Sequence, residues 1–444
     1  MSDAPPTANA DDAGPLRIGL ALERFDPDTG GAERSTAQIA EALAHRGHEV
    51  TVLAVVVPRV IYEAQHPYRL ERLCGGGRVR PHTLLLGRHR LSRRLDAGDF
   101  DAIVSMTTSF PGHVVEPRAG LTAGFQQSRV MRRRSPIRRA LKRVEIALSL
   151  KQQLLRAMEK RTLADPRLRR VVAVSAMIAE ELREVAGVSG ERVVEIPNGS
   201  VSPDLPPEEK TEVREALRRG LSLDDAAPLV VFAAHDPGRK GGAELMRAWA
   251  QVIARRPEAR LACIGGGSYA LHRLAVEHDV RPSVLLLGPT RHAIDLFAAA
   301  DALVLPTWYD PASKVVIESL MVGTPAVTTR LNGSAQFVAP GSDAGHEQPR
   351  GRVIDTPADT DALADAMLAM CDREEQRRCA ARCHGLRDQL TMDRHVDRLE
   401  ALLREVVAER RGVEAIEREH GETVQRQDAK APRRQAEEKE DRTG

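Results

Sequence analysis

Aromatic side chains are scarce: 2 Trp, 4 Tyr and 7 Phe make up 3% of 444 residues. That scarcity argues against a lectin-like module stacking sugars on exposed rings. It also argues against a single-strand nucleic-acid binder built from aromatic platforms. A charge excess is lacking too. Lys and Arg number 65 against 63 Asp and Glu, and a net charge of +2 falls short of the basic excess that wholesale nucleic-acid binding needs. The five cysteines, Cys74, Cys263, Cys371, Cys379 and Cys383, hold no Cys-x-x-Cys pair. Neither a disulfide framework nor a zinc site is expected, and a reducing compartment fits. Cys379 and Cys383, four apart on an expected helix, read as packing. No apolar run reaches the roughly 18 residues of a membrane helix. The start, MSDAPPTANADDAGP, has neither the basic nor the apolar part of a signal peptide. A cytoplasmic protein is expected, at most peripheral on the inner face of the cytoplasmic membrane.

What is present is ordinary for a globular chain, 42% hydrophobic and 29% charged. At roughly 150 residues per domain, the length allows two or three domains. Residues 1–14 read as a disordered leader. A rhythm of apolar run, turn and helical pattern then begins, with strands expected at 17–22, 50–57, 101–106, 171–175 and 192–196. Helices are expected at 33–46 and 176–186. The apolar runs are continuous rather than alternating, as in parallel strands covered on both faces. A Pro-rich linker at 203–225, containing a charged helix, interrupts the series. The rhythm restarts with strands at 229–234, 261–264, 284–287, 302–305, 326–328 and 352–354. The fold class expected is α/β: two Rossmann-like doubly wound domains, 15–202 and 226–390, facing a cleft. A helix at 391–411 should pack back, and 412–444, nearly without apolar residues, reads as a solvated disordered tail.

In such sheets ligands bind beyond the carboxyl ends of the strands, so the loops there carry most weight. Gly30-Gly31-Ala32-Glu33 joins the first strand to the first helix. It suits close approach of an anion to a helix N-terminus, or simply a tight turn. Gly265-Gly266-Gly267-Ser268-Tyr269-Ala270 formally matches a dinucleotide fingerprint, but the next strand ends without the required acid. A nicotinamide cofactor is therefore not expected, and another nucleotide suits the turn better. Gly238-Arg239-Lys240-Gly241-Gly242 sets an arginine fork and a lysine point charge at a βα loop, a pattern suited to a diphosphate. The alternative is two solvated cations. A P-loop is excluded, because its motif is absent. The densest stretch is Trp308-Tyr309-Asp310-Pro311-Ala312-Ser313-Lys314-Val315-Val316-Ile317-Glu318, followed by Gly323-Thr324-Pro325. Asp310 and Glu318 can bracket a polyol, while the helix N-terminus between them offers N–H groups to phosphate.

Here the chain resembles the retaining glycosyltransferases of the GT4 family, whose signature is Glu-x7-Glu and whose fold is GT-B. The resemblance covers about residues 16–405. It includes the glycine loop at Gly30, Arg46-Gly47-His48-Glu49-Val50, the segment from Ser175 to Pro197-Asn198-Gly199, and the Arg/Lys loop at 232–241. The lipopolysaccharide-core glucosyltransferase type is the nearest subgroup by its Arg-Lys-Gly loop and its Tyr before the first acid. The resemblance implies a nucleotide-diphosphate sugar as co-substrate and no metal or other cofactor. It places donor binding on Gly30, Gly31, Gly266, Ser313, Lys314, Val315 and Glu318, and catalysis on Arg239, Lys240 and Asp310. It assigns the acceptor, a cell-envelope glycan or glycolipid, to the N-terminal domain.

Three departures stand out: Asp310 for the usual first Glu, Ser313 for Gly, and Lys314 for an apolar residue. They motivate an alternative, a GT-B-like sugar-nucleotide-binding or scaffold protein without catalysis. His235 is also unusual, and simple loop packing is the plainer reading for it. The run Arg129, Arg132, Arg133, Arg134, Arg138, Arg139, continuing to Lys142 and Arg143, meets no acid before Glu145. It is either a solvated face or an acceptor or anionic-membrane patch; nucleic acid is not expected, since no aromatic interleaves. Asp26-Pro27-Asp28 reads as a turn rather than a metal site.

Overall fold

A computed structural model describes residues 14–28, 30–75, 77–201, 205–339 and 349–430. The expected leader (1–13) and the last part of the expected tail (431–444) lie outside the described residues.

The first sheet comprises β1 (Arg17–Arg24), β2 (Glu49–Val56), β3 (Arg69–Arg72), β4 (Ala102–Ser105), β5 (Val114–Val115), β6 (Arg170–Ala173) and β7 (Val193–Glu195). The second comprises β8 (Leu229–Ala234), β9 (Arg260–Gly265), β10 (Val284–Gly288), β11 (Ala302–Leu305), β12 (Ala326–Thr329) and β13 (Gly351–Ile354). Their orders are β3-β2-β1-β4-β5-β6-β7 and β10-β9-β8-β11-β12-β13. Every pairing is parallel. The two sheets thus repeat one doubly wound plan. Its order reverses between β1 and β4, and again between β8 and β11, where a crevice opens for ligand.

Local chemistry explains the elements. All six residues of β8 and all four of β11 are buried, as strands covered on both faces require. The helix Gly31–His45 buries Ile39, Ala40 and Leu43 at helical spacing and carries Glu33 in its first turn, against the helix dipole. β3 and β5, absent from the sequence reading, are a four-residue edge strand of mixed polarity and a two-residue strand; neither makes a long apolar run. The helices Pro81–Ala97, Thr122–Met131, Pro136–Leu148 and Leu150–Leu163 also lay outside that reading.

Two boundaries differ from expectation. The segment read as a linker holds the helix Pro207–Gly220, and its Val213 and Leu217 pack on the second core together with Leu221 and Leu223. It belongs to the second domain because those apolar residues fall on one helical face. The C-terminal helix, Met392–Lys430, runs far past 411. Residues 412–430, expected to be disordered, are helical: Ala, Glu, Gln and Arg favour a helix already nucleated by a packed first half. That half places Val396, Leu399, Leu403 and Val406 in the first domain's core, so the helix returns to the domain that holds β1.

Candidate functional site

The loops that follow β8 and β11 lie side by side at the second switch point. Trp308 N donates to Arg239 O at 3.1 Å, which fastens one loop to the other. Lys240 Nζ reaches Asp310 Oδ2 in a direct ion pair, both side chains being mostly buried. Burial pulls the Lys240 ammonium below its ordinary range, and the charge of Asp310 opposes that pull. Arg239 Nε is buried and lacks a hydrogen-bond partner, a donor at a loop where an anion would satisfy it.

Ser313 caps the helix Lys314–Met321, and its N donates to Asn332 Oδ1 at 3.4 Å. Val315, in the first turn, packs half-buried on the second core. Lys314 and Glu318 lie one turn apart. Burial lowers the Lys314 ammonium to about 8 despite the favourable charge of Glu318. Burial raises the Glu318 carboxyl, which Lys314 and a hydrogen bond from Ser200 draw back down. That bond, from Ser200 Oγ to Glu318 Oε1, is 2.8 Å. The first domain closes over this helix: Lys314 Nζ donates to Gln38 Oε1 at 2.8 Å, and the Arg34 charge acts on both Lys314 and Glu318. Arg34 and Gln38 stand on the helix that begins at Gly31.

The structure therefore brings together Arg239, Lys240, Asp310, Ser313, Lys314, Val315 and Glu318. The glycines have separate local reasons. A Cβ on Gly30 would collide with the Glu33 carboxylate folded back on the helix start, whereas Gly31 faces open space. A Cβ on Gly266 would strike the backbone carbonyl of His235. The glycine turn after β9 thus serves close packing against the loop that carries Arg239 and Lys240. Asp26 is bound by Arg24 at 2.6 Å. Among the described residues no group of three or more His, Cys, Asp or Glu is arranged to hold a metal.

Sequence reasoning missed two interdomain devices. Tyr309 leaves the second domain and packs with Leu121, Val174 and Ile178 of the first. Its hydroxyl donates to Glu181 Oε2 at 2.6 Å and accepts from Leu121 N at 3.0 Å. The second device is a buried chain. His395 Nδ1 donates to Pro197 O at 2.9 Å, so its Nε2 accepts from Arg118 Nη2 at 3.1 Å. Arg118 Nη1 donates to Asn198 Oδ1 at 3.1 Å, and Asn198 Nδ2 donates to Ala312 O at 3.2 Å, beside Ser313. Glu116, fully buried, balances Arg118 at 2.7 Å. Burial lowers the His395 pKa, which fits its acceptor role. The partners lie as much as 277 residues apart, so no local spacing points to them.

The basic run divides. Arg129 and Lys142 pair with Glu145, at 3.7 and 2.5 Å. Arg132, Arg134 and Arg139 line a cavity between the domains, and Arg133, Arg134 and Arg138 are exposed. None of these seven belongs to the Lys240–Asp310 cluster.

Comparison with known proteins agrees with this architecture. Residues 29–200 match the model of Glycosyltransferase Family 4, and residues 227–373 match that of Glycosyl transferases group 1. The chain is 33% identical over 196 residues to D-inositol 3-phosphate glycosyltransferase 2 of Catenulispora acidiphila, a match spanning 40% of this chain and 45% of that relative. It thus spans about half the length of the curated relatives it matches. The crystal structure of WaaG, a glycosyltransferase involved in lipopolysaccharide biosynthesis, superposes with a TM-score of 0.69 at 19% identity, covering 87% of this chain and 99% of that one. Anabaena HepE in complex with UDP-glucose superposes with a TM-score of 0.63 at 17% identity, covering 88% and 100%. The first Rossmann-like domain thus matches the Glycosyltransferase Family 4 model and the second the Glycosyl transferases group 1 model, and together they have the GT-B fold of glycosyltransferases.

Proposed function

We propose that the protein is a retaining glycosyltransferase that moves a sugar from a nucleotide-diphosphate sugar to a cell-envelope glycan or glycolipid. The observation that carries the reading is the cluster at the second switch point. There two cations, Arg239 and Lys240, and two carboxylates, Asp310 and Glu318, lie on neighbouring loops and the helix that follows, with Arg34 and Gln38 of the other domain beside Lys314 and Glu318. Glu318 would take the ribose hydroxyls, Asp310 the sugar hydroxyls, and Arg239 with Lys240 the diphosphate. Gly30, Gly31 and Gly266 would line the donor's path. Likeness to a HepE structure holding UDP-glucose supports a nucleotide sugar, and likeness to WaaG supports an envelope acceptor.

Catalysis would be mainly electrostatic. As the anomeric C–O bond breaks, its electron pair stays on the departing phosphate oxygen. Fixed cations and helix N–H groups at that point stabilise the new charge without reorganising. Lys240 is held by Asp310 in the free protein, which would keep its ammonium in place for an arriving diphosphate. Because side-chain cations meet the diphosphate charge, the reaction needs no metal, and transfer should persist in EDTA. The test is sugar release and transfer from UDP-, GDP- and ADP-sugars. A double variant, Arg239→Ala with Lys240→Ala, that kept full activity would sink the assignment. Binding without turnover of any sugar nucleotide would instead favour the non-catalytic alternative.

We also propose that the first domain rests on an anionic bilayer, which would make the protein peripheral on the inner membrane face. Along the helix Pro136–Leu148, Ile137, Leu141, Val144 and Leu148 recur at spacings of four, three and four, and all are exposed. Leu150 follows at 80% exposure. Arg133 and Arg138 are exposed close by in the sequence. An apolar stripe bordered by guanidiniums is the pattern of a helix lying in a membrane interface. No helix among the described residues is long and apolar enough to cross a membrane.

A further inference from the structure

A half-open cavity of about 370 Å³ between the two domains is lined by Arg132, Arg134, Arg139, Arg247, Glu244 and Trp308. Four guanidiniums face one carboxylate there, and that carboxylate is already used. Glu244 Oε1 accepts from Arg247 Nη2 at 2.8 Å, and its Oε2 from Trp308 Nε1 at 3.3 Å. The side chains of Arg132 and Arg134 have no hydrogen-bond or ion-pair partner among the described residues, and Arg139 Nε donates only to the carbonyl of Arg133, at 2.7 Å. Arg132 Nη2 lies 2.7 Å from where a Cβ on Gly238 would stand, so the cavity abuts the loop of Arg239 and Lys240. Asp236, near the same point, is engaged by Arg239 N at 3.2 Å.

Three guanidiniums without a carboxylate partner around one half-open cavity repel one another unless an anion joins them, and planar N–H forks suit phosphate oxygens. The donor's own diphosphate is not that anion by position. Lys240, Asp310, Lys314 and Glu318 are all absent from the lining, which buried Trp308 helps to form. An adjoining cavity of about 590 Å³ shares Met131 and Trp308 but presents Glu180, Glu181 and Glu184. It repels an anion and suits hydroxyl-bearing or apolar groups. A phosphate at one end and a polyol at the other thus match the two halves of a single interdomain trough.

We propose that the arginine cavity is a subsite for a phosphate monoester carried by the acceptor. The acceptor would then be a phosphorylated glycan or glycolipid. The identity of the bearer rests on the transferase reading; the anion site does not. Thermal shift and calorimetry on the full chain test it with inorganic phosphate, glycerol 3-phosphate and glycerol, each with and without the nucleoside diphosphate (UDP, GDP or ADP) that binds. Saturable binding of both phosphates, but not of glycerol, is expected, undiminished by the nucleotide. Arg134→Gln with Arg139→Gln should weaken glycerol 3-phosphate at least tenfold while leaving nucleotide binding intact, and Arg134→Lys with Arg139→Lys should recover most of the loss. Competition by the nucleotide would overturn the proposal, as would binding unaffected by the glutamine pair or a tenfold preference for inorganic phosphate. Loss of nucleotide binding with phosphate binding intact would sink the transferase reading and leave the anion site standing.

Discussion

Two sets of cations border the same cleft and are held in opposite ways. Lys240 and Lys314 of the second domain are buried, and each has a carboxylate at hand, Asp310 for one and Glu318 for the other. Arg132, Arg134 and Arg139 of the first domain are more open and lack a carboxylate partner. The first set is preorganised: its geometry is fixed before any ligand arrives, which is what stabilising a transient charge requires. The second set is positioned but uncompensated, which suits holding an anion that remains bound. Salt should separate the two, since exposed charges are screened far more than buried ones.

The largest break in this comparison comes from the preorganised side. Lys240→Ala should lower kcat about 10²–10³-fold, as expected for losing one donor to a developing charge, and steady-state transfer assays at saturating donor measure it. A loss of only twofold would place Lys240 outside the chemistry.

Tyr309→Phe tests whether the second domain's loop is locked by the first. Deleting the hydroxyl orphans Leu121 N and removes a donor from half-buried Glu181, so unfolding in urea should be easier by about 1–3 kcal/mol. An unchanged midpoint would mean that ring packing alone holds the loop.

The pH dependence of donor binding sharpens the contrast further. Lys314 is charged below about 8 and neutral above it. Donor affinity should therefore fall as pH rises through 8, and Lys314→Arg should flatten that fall. The stability effect runs the other way. A lysine whose folded pKa lies below its ordinary 10.5 disfavours the charged folded state, so its contribution to stability grows as pH climbs from about 8 towards 10.5. Calorimetric titration of donor and urea melts across that window read the two trends separately.

The smallest expected effect belongs to the exposed face. Arg133→Gln and Arg138→Gln should each cost about 1 kcal/mol of binding to phosphatidylglycerol vesicles. Leu141→Asp should weaken sedimentation with those vesicles further while sparing nucleotide binding. Equal partitioning of all three variants would remove the membrane from the account.

The fold was legible because parallel strands covered on both faces leave continuous apolar runs, as at 229–234 and 302–305. Short β5 and the polar edge strand β3 leave no such mark. At the site, Arg239, Lys240 and Asp310 stood out because the loops that bear them follow apolar strands directly, and Glu318 because it lies on the helix that the second loop opens. The helices between 81 and 163 escaped notice because their apolar residues are spread among arginines.

The sequence by itself determined the two doubly wound domains, the loops at their switch points and the cations and carboxylates those loops carry. Periodicity and turn chemistry are local, and eight residues of spacing place Asp310 and Glu318. Only the tertiary structure decided which polar side chains pair with one another. Lys240 finds Asp310 across 70 residues, His395 finds Arg118 across 277, and Lys314 finds Gln38 across 276. It also divided one run of arginines between a paired group, an exposed face and a cavity wall. Those outcomes depend on how two sheets and a returning helix pack, and packing joins residues whose separation in the chain carries no signal.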